Sequence, residues 1–333
     1  MRITHDMLLK VANDAVARRV RESRALMAAY LCGSLLGEEY LLGGTADVDL
    51  VFIYTDQPPA AREVQRLTDE VHLDIAHHYH RDYSQTRRLR VHPWLGPALN
   101  ACKALYDPQH LLDFTQASVR GQFDRPDHAI ERVRQLLEHA RQIWFSYQAG
   151  LAAPAPADIE AYLRAVEHAA NAVASLSGPP LTDRRLLSAF PARAAAVGRP
   201  GLYQGLLGLL GAPNLPPGGL VEWLPLWQEA YLSIPAATVP VRLSPLRLPY
   251  YRSALDAHLA SPHPEAALWP MLRTWTLAAG LCPPDSRASQ GWAWAFTQLG
   301  LAGAGFMDRM AALDAYLDLV DETLEDWARR NGA

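Results

Sequence analysis

Two stretches near the N-terminus decide the fold: Ala25–Ser34, with the sequence ALMAAYLCGS, and Asp47–Tyr54, with the sequence DVDLVFIY. The first is an apolar run that ends in Gly33 and Ser34. The second alternates carboxylates with apolar residues and then becomes fully apolar. Short apolar runs bounded by turn residues are typical of buried strands. Strands of one sheet are therefore predicted over Ala25–Cys32 and Asp47–Tyr54.

The segments around these two strands alternate between helical and extended patterns. Helical spacing of apolar residues predicts helices over Thr4–Ser23 and Pro58–Glu70, and the Gly-Ser junction predicts a helix over Ser34–Leu41. Val71–His80 is predicted to be a third strand, and Ala104–Tyr106 a further short strand. Strands with intervening helices predict a small sheet flanked by helices.

From Pro126 onward nearly every segment fits a helix of ordinary length, with joints that contain proline or glycine. The predicted fold class is therefore α+β. An N-terminal domain over residues 1–125 carries a small mixed sheet flanked by helices, and an all-helical domain covers residues 126–333.

The composition is that of a globular, cytoplasmic protein. A length of 333 residues with 50% hydrophobic residues suits two domains. A net charge of −4 gives no electrostatic case for nucleic acid as the main partner. The three cysteines lack the spacing of a disulfide framework, and no signal peptide or membrane-spanning run is expected. The sequence leaves the oligomeric state open.

A group of carboxylates near the Gly33-Ser34 junction carries the chemistry. Asp47 and Asp49 stand two residues apart on a predicted strand, so their side chains share one face of the sheet. Asp74 adds a third carboxylate within the next predicted strand. Without a cation such groups repel each other, and Mg²⁺ prefers oxygen ligands of this kind. The pattern therefore predicts a magnesium site.

These residues resemble the signature of the DNA-polymerase-β-like nucleotidyltransferase superfamily: an apolar strand, Gly33 and Ser34, a spacer, then Asp47 and Asp49, and later Asp74 on a strand. The resemblance implies transfer of a nucleoside monophosphate from a nucleoside triphosphate to an acceptor, with two Mg²⁺ ions and release of pyrophosphate. It implies that the aspartates hold the metal ions, that Asp74 helps activate the acceptor hydroxyl, and that Gly33 and Ser34 hold the triphosphate.

The domain plan is similar to that of the kanamycin-type aminoglycoside nucleotidyltransferases. This similarity implies AMP from ATP as the transferred group, a small polar acceptor such as an aminoglycoside, and a role in antibiotic resistance. Two alternatives stay open. The acceptor could be a protein or a tRNA, or the chain could be a catalytically silent regulatory or toxin-like protein that binds nucleotide.

Basic residues that follow the third predicted strand could reach the triphosphate. Arg87 and Arg88 suit phosphate geometry, and Lys103 could act as a point charge. A solvated helix face and an edge-strand lysine would give the same patterns. His78 and His80 share the predicted face of Asp74, which would suit zinc in a metallohydrolase, but no recognised zinc-ligand spacing accompanies them.

A polar stripe on the predicted helix Asp158–Leu176 is the candidate acceptor site. Glu160, Glu167 and Asn171 recur at helical spacing on one face of this helix. The carboxylates could bind a cationic acceptor or accept the proton of its hydroxyl. A solvent-facing stripe would give the same pattern.

Overall fold

A computed structural model describes residues 3–58, 60–151 and 153–333. The chain forms two compact units, unit 1 (Met1–His128) and unit 2 (Ala129–Ala333). The predicted α+β class is confirmed in general terms, because the N-terminal part contains a five-stranded mixed sheet and mostly helices follow it.

Unit 1 combines this sheet with short helices. The strands are β1 (Leu26–Cys32), β2 (Ala46–Tyr54), β3 (Arg62–Arg66), β4 (Val71–Tyr79) and β5 (Lys103–Tyr106). The helices are α1 (His5–Glu22), α2 (Thr86–Val91), α3 (Leu95–Ala101) and α4 (Leu111–Arg120). The strand order in the sheet is β3-β4-β2-β1-β5, with β2 and β4 parallel and the other neighbours antiparallel.

The sheet of unit 1 is covered on both faces. On one face, Val48, Leu50 and Phe52 of β2 pack with apolar residues of α1. On the other face, Val51 and Ile53 pack with residues of α2, α3 and α4. The apolar end of β2 is buried on both faces for this reason. Odd-numbered residues of β2, Asp47 and Asp49 among them, belong to the α2–α4 face.

Two predicted helices of unit 1 are wrong. The segment predicted as a helix over Pro58–Glu70 forms strand β3 and a tight turn, while Pro59 lies outside the described residues. Antiparallel pairing with β4 outweighs the weak helical propensity of this polar segment, as tertiary context often does. The helix predicted over Ser34–Leu41 shrinks to a 3₁₀ turn at Gly33–Leu36.

Unit 2 has only helical regular elements in its described residues. Helix α5 (Pro126–Phe145) begins at the end of unit 1. The others are α6 (Pro156–Ala174), α7 (Leu186–Ala196), α8 (Leu202–Leu209), α9 (Gly219–Leu232), α10 (Leu248–Leu259), α11 (Leu268–Ala279), α12 (Arg287–Gln298) and α13 (Phe306–Asn331).

One hydrophobic core holds the helices of unit 2 together. Helix α11 packs against α6 and α9, and α6 also packs against α13. Four tryptophans of α9 and α11 are fully buried in this core: Trp223, Trp227, Trp269 and Trp275. The tryptophans of these two helices therefore serve packing.

None of the described helices combines the length and the apolar character that crossing a membrane needs.

Candidate functional site

The three aspartates are brought together by the parallel pairing of β2 with β4. Register places Asp49 opposite Asp74 and Asp47 opposite His72. Because directly paired residues point to the same face, Asp49 and Asp74 are neighbours. Asp47 lies two residues before Asp49 on β2 and points to the same face. Alternation along each strand and the register of this strand pair together explain why these side chains converge.

The convergence is tight. Each of Asp47, Asp49 and Asp74 offers a carboxylate oxygen, and these oxygens lie within 4.8 Å of one another. Asp47 and Asp74 are buried, at 5% and 3% exposure, and Asp49 is half-buried. Three close carboxylates repel each other in the absence of positive charge. This set of hard oxygen donors could hold a divalent metal ion such as Mg²⁺.

The Asp49 carboxylate lies directly against Gly33. The φ of Gly33 is +76°, and a Cβ added there would stand 2.0 Å from the Asp49 Oδ2. A side chain at position 33 would therefore displace this carboxylate, and the backbone angle also favours glycine. Ser34 follows directly and is half-buried within the 3₁₀ turn. The turn is too short to provide the helix N-terminus that the Gly-Ser motif predicted.

The electrostatic influence of the aspartates is visible at Cys32, which pairs with Asp49 across β1 and β2. Burial raises the pKa of the Cys32 thiol well above its ordinary value, and the carboxylates of Asp49 and Asp74 raise this pKa further. The Cys32 thiol is therefore protonated at neutral pH and contributes no charge to the site.

Arg62 of strand β3 binds the third aspartate. Its Nε donates to the Asp74 Oδ1 at 2.5 Å, and its Nη2 donates to the Asp74 Oδ2 at 2.6 Å. The two groups form a bidentate ion pair, a geometry in which a guanidinium matches a carboxylate. The site therefore contains an arginine that places one positive charge against its three carboxylates.

The basic residues predicted to contact phosphate are all exposed. Arg87 and Arg88 are exposed on α2. Lys103 is exposed on β5 and pairs in register with Leu31, a residue of the core on the α1 face. The aspartates lie on the other face of the sheet, so this register does not favour phosphate contact by Lys103.

The histidines of β4 do not extend the carboxylate group. The only cluster of three or more potential metal-ligating side chains in the described ranges of the chain is the aspartate group. The His78 Nδ1 is hydrogen-bonded to the Tyr83 hydroxyl at 2.6 Å, and that hydroxyl is hydrogen-bonded to Tyr30 at 3.0 Å. His80 lies beyond the strand, in a 3₁₀ turn. The zinc alternative gains no support from these positions.

Glu160 and Glu167, the predicted acceptor contacts, converge on Arg273 of α11. The Arg273 Nη1 lies 3.7 Å from the Glu160 Oε1, and its Nη2 lies 3.4 Å from the Glu167 Oε2. Asp183 approaches the Arg273 Nε at 3.9 Å. Arg273 is 5% exposed, so this charged group stands largely inside unit 2. The helix face is not simply a solvated stripe.

Two side chains at this cluster, Glu167 and His168, have strongly shifted pKa values. Burial raises the pKa of Glu167 to about 7, with Asp183 raising it further and Arg273 opposing the shift. Burial lowers the pKa of the neighbouring His168 to about 4, with a contribution from His139. A carboxyl group near neutrality can exchange protons at physiological pH.

Asn171, the third predicted acceptor contact, is completely buried. Its Oδ1 accepts from the Leu181 backbone N–H at 2.6 Å, and its Nδ2 donates to the Leu181 carbonyl at 3.3 Å. The amide therefore fixes the chain after α6, and these contacts account for the residue without a ligand.

Sequence reasoning missed two arginines and one aspartate that the structure adds to these groups. Arg62 lies in the segment predicted as a helix, so nothing indicated that it faces Asp74. Arg273 and Asp183 are far from Glu167 in sequence, and no local pattern marks them. Only the pairing of β3 with β4 and the packing of α11 on α6 reveal these contacts.

Comparisons with known proteins add no family assignment. No model of a known protein family matches the chain, and no curated protein matches it significantly.

Proposed function

We propose that the protein is a Mg²⁺-dependent nucleotidyltransferase. It transfers a nucleoside monophosphate, AMP from ATP, to a hydroxyl group of a small polar acceptor such as an aminoglycoside, and it releases pyrophosphate. The observation that carries the proposal is the group Asp47, Asp49 and Asp74, whose oxygens lie within 4.8 Å of one another. The contact between Asp49 and Gly33 adds support, because it ties the Gly-Ser motif to the carboxylates.

The reaction needs a site that gathers negative charge from two reactants. The acceptor oxygen forms a bond to the α-phosphorus, the bond from that phosphorus to the β-phosphate oxygen breaks, and the hydroxyl proton leaves to a base or to water. Mg²⁺ held by the three aspartates would neutralise charge on the phosphates and would ease deprotonation of the hydroxyl. Asp47 and Asp49 would hold the metal ions, and Asp74 would complete the site.

The remaining roles are assigned to residues of each unit. In unit 1, Gly33 and the Ser34 hydroxyl would contact the triphosphate, with Arg87 and Arg88 as further candidates. In unit 2, Glu160 and Glu167 would contact a cationic acceptor.

The test is pyrophosphate release by the wild type and by Asp49→Asn, with Mg²⁺ and each nucleoside triphosphate. Aminoglycosides, other polyhydroxylated metabolites, proteins and tRNA are offered as acceptors. We expect release with one class of acceptor and a loss of about a hundredfold or more in Asp49→Asn, since charge stabilisation by a bound metal ion contributes several kcal/mol.

Asp56→Asn is the matched control, because Asp56 is an exposed carboxylate just beyond β2 and should leave activity unchanged. Near-normal activity of Asp49→Asn would contradict the proposal. Release with protein or tRNA alone would keep the chemistry and change the acceptor. Nucleotide binding without release on any acceptor would favour the catalytically silent alternative.

A further inference from the structure

The ion pair between Arg62 and Asp74 joins two residues in very different surroundings. The Asp74 side chain is 2% exposed, whereas the Arg62 side chain is 46% exposed. Both Asp74 oxygens receive an N–H from the same guanidinium. The carboxylate is thus fixed in the sheet, while half of the arginine side chain faces water.

Arg62 lies at the edge of the sheet. It belongs to β3, the edge strand next to β4, and pairs in register with Ala76. A long side chain of this kind can bury its apolar stem while its charged head stays in contact with water. Asp74, in contrast, is buried on β4, between β2 and β3.

Arg62 also supplies positive charge beside the carboxylates, as a bound cation would. With Arg62 in place, one of three negative charges within a few ångströms is balanced. A cation bound through Asp74 would share its oxygens with the guanidinium and be repelled by it. A carboxylate offers about four lone-pair positions, so the two partners do not strictly exclude each other, but they compete electrostatically.

We infer that Arg62 is a positioning residue that competes with the divalent cation for Asp74. It holds the carboxylate in place while no cation is bound, and it lowers the affinity of the aspartate group for the cation. This inference rests on the proposed function, since it takes the aspartates to be the cation site. It concerns the affinity of that site for the divalent cation, which the proposed reaction does not determine.

The test measures Mn²⁺ binding in the absence of nucleotide, by the loss of the electron paramagnetic resonance signal of the free ion. Arg62→Met should bind Mn²⁺ about tenfold more tightly than the wild type, because a unit positive charge beside the ion is removed. Arg62→Lys keeps the positive charge but loses the bidentate geometry of the guanidinium. The Mn²⁺ affinity of this variant should therefore stay within about threefold of the wild type. Thermal unfolding of both variants checks that they are folded.

Arg66→Met is the matched control. Arg66 lies four residues further along β3, is exposed, and forms an ion pair with Asp69 of the following turn. The substitution removes the same charge from the same face of the strand, and we expect unchanged Mn²⁺ affinity.

Three outcomes separate the inference from the function on which it rests. Tighter binding by Arg62→Met alone supports the inference. Unchanged or weaker binding by folded Arg62→Met, or equal gains in Arg62→Met and Arg66→Met, overturns it and leaves the proposed function standing. If the wild type shows no Mn²⁺ binding that Asp49→Asn removes, the cation site fails, and both fall together.

Discussion

Gly33 and Asp49 act as a pair, since the carboxylate occupies the space that any larger residue at position 33 would fill. We predict that Gly33→Ala keeps the fold but weakens Mn²⁺ binding about tenfold or more, because Asp49 must rotate away. The left-handed backbone angle adds a stability cost of about 1–2 kcal/mol. Mn²⁺ titration and thermal unfolding measure the two effects separately.

Gly44 provides the control for this substitution. Its φ is +75°, close to that of Gly33, but an added Cβ would meet nothing within 4 Å. Gly44→Ala should therefore show the same stability cost and unchanged Mn²⁺ affinity. Equal affinity in the two variants would mean that the contact between Gly33 and Asp49 is irrelevant to the site.

At the level of single residues, the sequence was sufficient where a short-range rule applied. Alternation along a strand places Asp47 and Asp49 on one face, and a third strand brings Asp74 beside them. The partner of Asp74 could not be predicted, because Arg62 reaches it through strand pairing that no local pattern reveals. The same holds for Arg273, whose contact with Glu167 depends on helix packing.

Strand β3 is anchored by charged and polar groups on the sheet face opposite the aspartates. The Arg19 Nη2 of α1 donates to the Glu63 Oε1 at 2.6 Å, and the Arg19 Nη1 donates to the Tyr54 hydroxyl at 3.2 Å. That hydroxyl is hydrogen-bonded to the His77 Nδ1 at 3.1 Å. The network thereby joins α1, β2, β3 and β4 through four side chains.

We predict that Glu63→Gln lowers the free energy of unfolding by about 1 kcal/mol, because the amide oxygen can still accept from Arg19 but no longer carries a charge. Burial lowers the pKa of His77, and the Glu63 carboxylate opposes this shift, so the variant should lower the pKa further. Urea unfolding and NMR titration of His77 measure these changes. Glu70→Gln, in the exposed turn before β4, is the control and should change neither quantity.

The elements of unit 1 show where sequence patterns fail. The apolar runs of β1 and β2 predicted these strands to within a residue or two, because burial on both faces leaves a clear signal, and β4 was predicted equally closely. Polar β3 gave no such signal, and its pairing with β4 decides its conformation. A 3₁₀ turn at Gly33–Leu36 stands where a longer helix was predicted. The chain from Gly37 onward forms no further helical turn before β2.

The whole molecule should respond to pH through unit 2, where Glu167 stands beside Arg273. Its pKa is raised by burial to about 7, so the folded state binds a proton that the unfolded state releases near its ordinary value. This stabilising contribution is complete below about pH 4 and is lost as the pH rises through 7. Glu167→Gln removes the dependence.

We therefore predict that the stability difference between Glu167→Gln and the wild type shifts by about 1–3 kcal/mol in favour of the variant between pH 5 and pH 8. Urea unfolding followed by tryptophan fluorescence suits this measurement, because buried tryptophans of α9 and α11 report on unit 2. Glu138→Gln, at an exposed position of α5, should track the wild type at both pH values. If the free energies of unfolding of Glu167→Gln and the wild type change equally between pH 5 and pH 8, the raised pKa of Glu167 is refuted.

For the whole chain, the sequence predicted the α+β class, because apolar runs of strand length end early and helical spacing continues to the end. Composition could not indicate how Arg273 and Asp183 come to face Glu160 and Glu167 within unit 2. Such groups depend on contacts between elements distant in the sequence, which periodicity does not encode.

The charged edges of the sheet have a consequence for the protein at high concentration. Strand β3 presents Arg62, Glu63 and Arg66 at one edge, and β5 begins with the exposed Lys103 at the other. An edge strand with unpaired backbone groups can recruit the edge of a second copy, and charged side chains there make such an assembly costly. We therefore expect these charged residues to disfavour edge-to-edge pairing between two copies of the sheet.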